Sequence, residues 1–475
     1  MEYLMTDRML HWQELLSGLA EWQEELTAGT GSPENAADRL TQLSLLGDLC
    51  GLLITDMLSQ LQSIMARTDL SQAELNAVRQ LSEKMLTYVQ KEYDARLYDS
   101  PDGLLKEVCI RNCFDTAYPK KALMVYILSP FFFPETGGSH TNVAEARQMA
   151  ETLRDLSYDV DIVNTYYEGV PDAERYDLVI GFRRPFEELL PRLKKECLSV
   201  YYTTEASPYY ANPAELKRIL DFEARNGRRM PYERQNFCCQ QLDRLLLADG
   251  AVCIGNDWTV STYRGMFHRC LKQNASSTAL DRDAAHKEGA PYGKAFLWYG
   301  GAGALHKGVD LCIEAFRSLP ELTLHLVGRV DGEIGAFYRE EMAGAPNIVY
   351  HGFLPPDSTE FLELCGICDF SLGVSCSEGQ STAMNTAMRG GVIPVCQPSM
   401  GIDAEASGGL VIGEPTIPEL ADLCRELSAM PSGEIDRRRE QVYAYAAEHH
   451  SLEAYGKMLR ENLLTLLEEK ENRER

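Results

Sequence analysis

The sequence predicts an α/β protein in which two doubly wound parallel-sheet domains face a cleft, preceded by an all-α domain. Three observations predict this. Apolar residues at helical spacing run through residues 1–115; from residue 119 onward short continuous apolar runs alternate with helical segments; and a polar stretch at 271–293 divides that α/β region in two. The expected domains are a helical bundle or hairpin over 1–115, a first α/β domain over 119–280, a second over 292–450, and a C-terminal helix over 451–475 that packs back across the cleft.

Size and composition agree with this plan. A chain of 475 residues suits roughly two to four domains. Hydrophobic residues at 45% and charged residues at 25% are ordinary for a globular protein. The 71 acidic against 46 basic residues leave a net charge of −25, which argues against nucleic acid or an anionic membrane as the main partner. No basic segment followed by an apolar core opens the chain, and no apolar run approaches the ~18 residues of a membrane span. The expected location is cytoplasmic. The 14 cysteines are scattered through apolar segments and read as reduced core thiols. Cys365 and Cys368 have C-x-x-C spacing, and Cys109 and Cys113 are four apart, but no second close Cys/His pair completes a zinc site. Cys365 and Cys368 are expected on the apolar face of a helix starting near Thr359, and no metal is expected.

The elements follow in order. Met5, Met9, Trp12, Leu16, Leu19 and Leu26 form a helical stripe, then Leu40, Leu43, Leu46, Leu49 and Leu53 a second. Ser71–Glu74 is a capping-box pattern ahead of a third helix bearing Val78, Leu81, Met85 and Val89. At Lys120 the pattern changes. Ala122–Leu128 is a continuous apolar run of the kind a buried parallel strand shows. A loop carrying Gly137, Gly138 and His140 leads to a helix over Ala144–Leu156. Further strands are expected at 159–163, 178–181, 199–202 and 251–255, then beyond the linker at 296–299, 322–327, 348–350, 370–374 and 392–396. The final helix, from Ser451, carries Tyr455, Met458, Leu459, Leu463 and Leu467 on its apolar side, and the charged tail Glu468–Arg475 is expected to fray.

The chemistry concentrates after strands. Phe370–Val374 runs into Ser375-Cys376-Ser377-Glu378-Gly379-Gln380-Ser381-Thr382, a Ser/Gly turn with one carboxylate that opens a helix. Strand carboxyl ends are where open α/β sheets place ligands, and a helix start offers unpaired N–H groups and a positive dipole end to phosphate. Glu378 repels phosphate and is suited instead to accept hydrogen bonds from sugar hydroxyls, so the pair of properties points to a nucleotide-sugar. Ser-x-x-Glu-Gly alone is more often a strand-end turn with an incidental Glu. Gly137-Gly138 and Gly300-Gly301-Ala302-Gly303 are glycine turns where backbone amides can approach phosphate. Lys307, just before a helix beginning near Val309, adds a point charge. His140 stands two residues past the Gly-Gly loop, placed either to face the cleft or to bond locally.

The order of these motifs resembles the retaining family 4 (GT4) glycosyltransferases of the GT-B fold, over roughly residues 120–470. The residues that carry the resemblance are Gly137-Gly138, Gly301 through Lys307-Gly308, Val327-Gly328, Gly352-Phe353-Leu354, Ser375–Gly379 and Gly390–Val395. It implies two Rossmann-like domains, the first on the acceptor side and the second binding the donor. By position, Gly137 and Gly138 border the donor diphosphate, with Gly301 and Gly328 at the strand ends beside it. Lys307 binds the diphosphate. Ser377, Gly379, Gln380, Ser381 and Thr382 form the phosphate turn, Glu378 holds sugar hydroxyls, and Phe353 and Leu354 meet the base. The chain departs from the pattern in three places. Ala302 stands where the family has an Arg, Thr386 stands where a second Glu serves the ribose, and Glu205 takes the place of a His near the transferred sugar. Glu378, Lys307, His140 and Glu205 are the catalytic candidates.

The reading is a hexosyl- or glycosyltransferase that moves a sugar from a nucleoside-diphosphate sugar to an acceptor hydroxyl. Resemblance implies retention, no required metal and no cofactor beyond the sugar nucleotide substrate. The expected partners are the donor, a carbohydrate or glycosylated acceptor, and a second copy or protein partner through residues 1–115. Bacterial polysaccharide biosynthesis is the family's commonest theme. Two alternatives stand beside it: a non-catalytic GT-B protein that binds a nucleotide-sugar or glycan or serves assembly, and an epimerase or hydrolase on the same plan, the latter needing two opposed carboxylates.

Overall fold

Two parallel sheets organise the computed structural model, which describes residues 108–132, 141–167, 169, 171–234, 242–280 and 291–474. The expected helices of 1–107, and Gly137, Gly138 and His140, lie outside the described residues. The first sheet comprises β1 (Cys109–Ile110), β2 (Lys120–Tyr126), β3 (Tyr158–Asn164), β4 (Leu178–Gly181), β5 (Leu198–Thr203), β6 (Gly250–Ile254) and β7 (Cys270–Gln273), in the order β1-β3-β2-β4-β5-β6-β7. All pairs are parallel except β1 with β3. The second contains β8 (Ala295–Gly300), β9 (Thr323–Gly328), β10 (Ile348–Gly352), β11 (Phe370–Gly373), β12 (Ile393–Cys396) and β13 (Leu410–Val411), all parallel, in the order β10-β9-β8-β11-β12-β13.

Most of the strands form at apolar runs because helices cover both faces; β3 carries the buried carboxylates Asp159 and Asp161 as well. β3, β4, β5, β6, β11 and β12 are buried along their whole length. Each sheet has a topological switch point, between β2 and β4 in the first and between β8 and β11 in the second, where successive connections run to opposite sides.

Two corrections concern edge strands. The polar stretch read as a linker from 271 begins inside β7, an edge strand of partly buried residues. The residues just beyond it are also fastened: Ser276 donates from its N–H and its hydroxyl to Glu145 at 2.7 and 2.9 Å. Cys109–Ile110, inside the segment read as helical, forms the antiparallel edge strand β1.

Two helices cross between the sheets. Helix α1 (Asn142–Asp155) lies on the first sheet. Helix α2 (Pro208–Asn226) follows β5 in the chain, yet its Ile219 and Phe222 are buried with Phe296, Phe316 and Tyr338 in the core around the second sheet. The last helix, Leu452–Glu474, does the reverse: Tyr455, Leu459, Leu463 and Leu466 are buried with Met149, Leu153 and Tyr202 on the first sheet. The tail expected to fray is fastened there, because Lys470 Nζ donates to both carboxylate oxygens of Asp249 at 2.9 and 2.8 Å. Cys365 and Cys368 are fully buried at the end of the helix Thr359–Ile367. No helix among the described residues is long and apolar enough to cross a membrane.

Candidate functional site

Parallel pairing brings the sequence-predicted residues of the second domain to one edge. Gly301 follows β8, Gly328 ends β9, Phe353 and Leu354 follow β10, and Ser377–Thr382 follow β11, so all of them stand at carboxyl ends of neighbouring strands. Gly328 has φ +121°, and a Cβ there would lie 1.7 Å from the Gly300 carbonyl, so only glycine lets β8 and β9 close at this edge. Phe353 is half exposed, whereas Leu354 packs beside Tyr299 and Phe361.

The turn after β11 is held from several sides. Ser381 caps the helix Thr382–Arg389 (α3), its hydroxyl accepting from the Met384 N–H. The Ser399 hydroxyl donates to the Ser375 carbonyl at 2.8 Å, and the Cys376 N–H donates to the His306 carbonyl at 2.9 Å. Burial, and then the Arg234 cation, bring His306 down to about 3, so its imidazole is neutral. Its Nε2 lies 2.5 Å from the Ser377 carbonyl and is assigned as the donor, which leaves Nδ1 to accept from Cys376 Sγ at 3.3 Å. His306 thereby ties the turn after β8 to the turn after β11.

At the switch point itself Lys307 Nζ donates to Glu378 Oε1, which also accepts from the Ser375 hydroxyl at 3.1 Å. The two side chains are only 12% and 8% exposed. Burial pushes the Glu378 carboxyl up, but Lys307 and then Arg234 outweigh it and hold it at about 2. Lys307 uses one of its three N–H donors on this bond.

Two of the assigned groups, the Ser381 N–H and the Thr386 hydroxyl, are already engaged within the protein, as is the side chain of Gln380. The Ser381 N–H donates to the Met400 carbonyl, so it is not a free amide for phosphate. Gln380 is buried, its side-chain oxygen accepting from the Ala275 N–H at 2.7 Å and its Nε2 donating to the Gly401 carbonyl at 2.9 Å. Thr386, assigned to ribose, donates its hydroxyl to the Thr382 carbonyl and accepts from the Thr278 N–H. The turn is also where the two α/β domains meet. A Cβ on Gly379 would stand 2.0 Å from the Thr204 carbonyl of the first domain, and the Gly379 carbonyl accepts from the Thr259 hydroxyl at 3.0 Å.

Glu205, at the carboxyl end of β5, reaches this edge and accepts from Arg234 Nη2 at 2.6 Å. Sequence reasoning missed Arg234. No strand or glycine turn precedes it, and its partners are far away in the chain. Among the described residues no group of three or more His, Cys, Asp or Glu side chains is placed to hold a metal ion.

No family model and no curated protein matches the chain. Solved structures do. The sucrose-phosphate synthase of Thermosynechococcus elongatus superposes with a TM-score of 0.51 at 13% identity, covering 73% of this chain and 99% of that one. The fold is GT-B. WaaG, a glycosyltransferase involved in lipopolysaccharide biosynthesis, matches at 16% identity over 71% of this chain and 98% of its own, with a TM-score of 0.45. HepE of Anabaena, solved with UDP and glucose, matches at 12% identity over 73% of this chain and 100% of its own, with a TM-score of 0.46. Within the GT-B plan, the Lys307–Glu378 pair stands at the switch point of the second domain, with Glu205 reaching it from the first.

Proposed function

We propose that this chain is a glycosyltransferase that moves a sugar from a nucleoside-diphosphate sugar to an acceptor hydroxyl, with retention and without a required metal. The observation that carries the reading is the Lys307–Glu378 pair at the switch point of the second sheet, a cation and a hydroxyl acceptor side by side at the strand ends. Lys307 has donors left for a diphosphate, and Glu378, ionised throughout the neutral range, accepts from sugar hydroxyls. In the transfer the bond from the anomeric carbon to the phosphate oxygen breaks, its electron pair leaving with the diphosphate. The acceptor oxygen bonds to that carbon, and the acceptor proton passes to the departing phosphate oxygen. Charge grows on the leaving group, and preorganised cations stabilise it. The scatter of the cysteines through apolar segments, in the manner of reduced core thiols, supports a cytoplasmic location.

One observation favours a second reading, a GT-B protein that binds a nucleotide-sugar without turnover: Thr386, the residue assigned to ribose, is spent on Thr382 and Thr278. A panel of UDP-, GDP-, dTDP- and ADP-sugars separates the two. The transferase reading expects one donor to raise the unfolding temperature and to be slowly hydrolysed, both effects being lost in Lys307→Ala and Glu378→Ala. A shift with no turnover, with or without carbohydrate acceptors, establishes the second reading. No response to any donor overturns both.

A further inference from the structure

A second cation is built onto the turn that carries Lys307. The backbone of Glu233 and Arg234 is fastened by Glu215 of α2, whose Oε1 accepts both N–H groups at 2.8 Å. Glu233 in turn reaches the β8 turn, its Oε2 accepting from the Leu305 N–H at 2.9 Å and the His306 N–H at 3.4 Å. Glu215 is buried, and α2 packs in the core of the second domain, so the segment belongs structurally to the Lys307 side of the cleft. The Arg234 side chain crosses the glycine turn after β8: a Cβ on Gly303 would lie 2.6 Å from Arg234 Cδ and 2.7 Å from Cγ. Its guanidinium meets Glu205 at 2.6 Å, and its charge acts on both Glu378 and His306. Glu205 takes one of the five guanidinium donors.

We propose that Arg234 is the second cation of the diphosphate site, supplied from a segment outside the β8 turn, with Glu205 holding its guanidinium in place. This rests on the glycosyl-transfer reading. The physical case is complementarity. An ammonium is a compact point charge, whereas a guanidinium is a planar fork that matches two phosphate oxygens at once. Two cations of different shape at one switch point suit a group with two phosphates, and the leaving diphosphate gains charge as the sugar departs. Anchoring through Glu215 and Glu233 fixes the fork before the donor arrives, so no rearrangement cost falls on the transition state.

The test is calorimetric titration of the full chain with inorganic pyrophosphate and with UDP, GDP, ADP and dTDP, for wild type, Arg234→Gln and Arg234→Lys, with donor kinetics on the same proteins. The expected result is binding by wild type, a loss of about ten- to a hundredfold in Arg234→Gln for pyrophosphate and the preferred diphosphate alike, and partial rescue in Arg234→Lys. The unfolding midpoint of both variants should stay at the wild-type value, and kcat in Arg234→Gln should fall further than KM rises. Wild-type affinity retained in Arg234→Gln overturns the assignment alone. Equal loss in both variants together with a lowered midpoint makes Arg234 structural and also overturns it. A wild type that binds none of the five ligands overturns the reading of the site, and this assignment with it.

Discussion

Lys307 and Glu378 are worth more to each other than an exposed pair would be, because each is nearly buried. Replacing Lys307 by Met should therefore act twice. Donor turnover should fall by about 10²–10³-fold, as when a preorganised donor to a developing charge is removed, and the protein should lose about 3–5 kcal/mol because nearly buried Glu378 loses its hydrogen-bonded cation. Urea unfolding beside initial rates reads both. Gly379→Ala should be damaging for a different reason, since the new methyl would enter the Thr204 carbonyl and force the two domains apart at the turn. A lower unfolding midpoint and weaker donor binding are the expected outcome. Glu145 offers a pH test. Burial pushes its carboxyl up to about 7, well above its unfolded value near 4.3. Between those values the native state binds the extra proton, so its contribution to stability is complete below about pH 4 and is lost as pH rises through 7. Glu145→Gln keeps an oxygen for Ser276 and should lessen the loss of stability between pH 5.5 and 8, measured as urea midpoints at the two ends.

At the scale of elements, helix α2 (Pro208–Asn226) is the support beneath the site. Its Arg218 is buried, donates to the Val374 carbonyl at 2.9 Å, and stands 3.5 Å from Asp310, which also meets Arg225 at 2.5 Å. Arg218 thus joins the strand end that leads to Glu378 with the helix Val309–Phe316 that follows Lys307. Arg218→Met should cost about 3–5 kcal/mol, because buried Asp310 loses one of its two cationic partners; chemical denaturation checks this. The strands were legible in sequence for a simple reason. A parallel strand covered on both faces is apolar along most of its length, and Leu178–Gly181 or Phe370–Gly373 can be read directly. The strands not anticipated, β1, β7 and β13, are two to four residues long and lie at sheet edges, so no apolar run of more than three residues marks them. The site divides in the same way. Lys307 and Glu378 follow strands and announce themselves by position. Arg234 does not, because the contacts that place it span 29 residues to Glu205 and 19 to Glu215.

For the molecule as a whole, the two-sheet plan was legible because alternating strand and helix patterns permit few arrangements, and right-handed crossovers narrow them further. The partition of the helices was not. Periodicity reveals that a helix has an apolar face but not which sheet that face will meet, so α2 reads as part of the first domain although it completes the second. The last helix, Leu452–Glu474, likewise completes the first sheet's core, with the Tyr455 hydroxyl 2.9 Å from that of Tyr202. Ending the chain at His450 should expose that core and make the protein aggregate or yield to protease, in contrast to removal of the final two residues, which should be silent.

The exchange of helices has a consequence for the connectivity of the particle. The two lobes are clasped hands rather than beads on a string: each holds a finger of the other. Cleavage of the backbone between residues 280 and 291 would not release two halves. The fragments should stay together through size-exclusion chromatography, and should reconstitute when made from separate genes, whereas either one alone carries a helix with no core to enter and lacks the one that its own core requires.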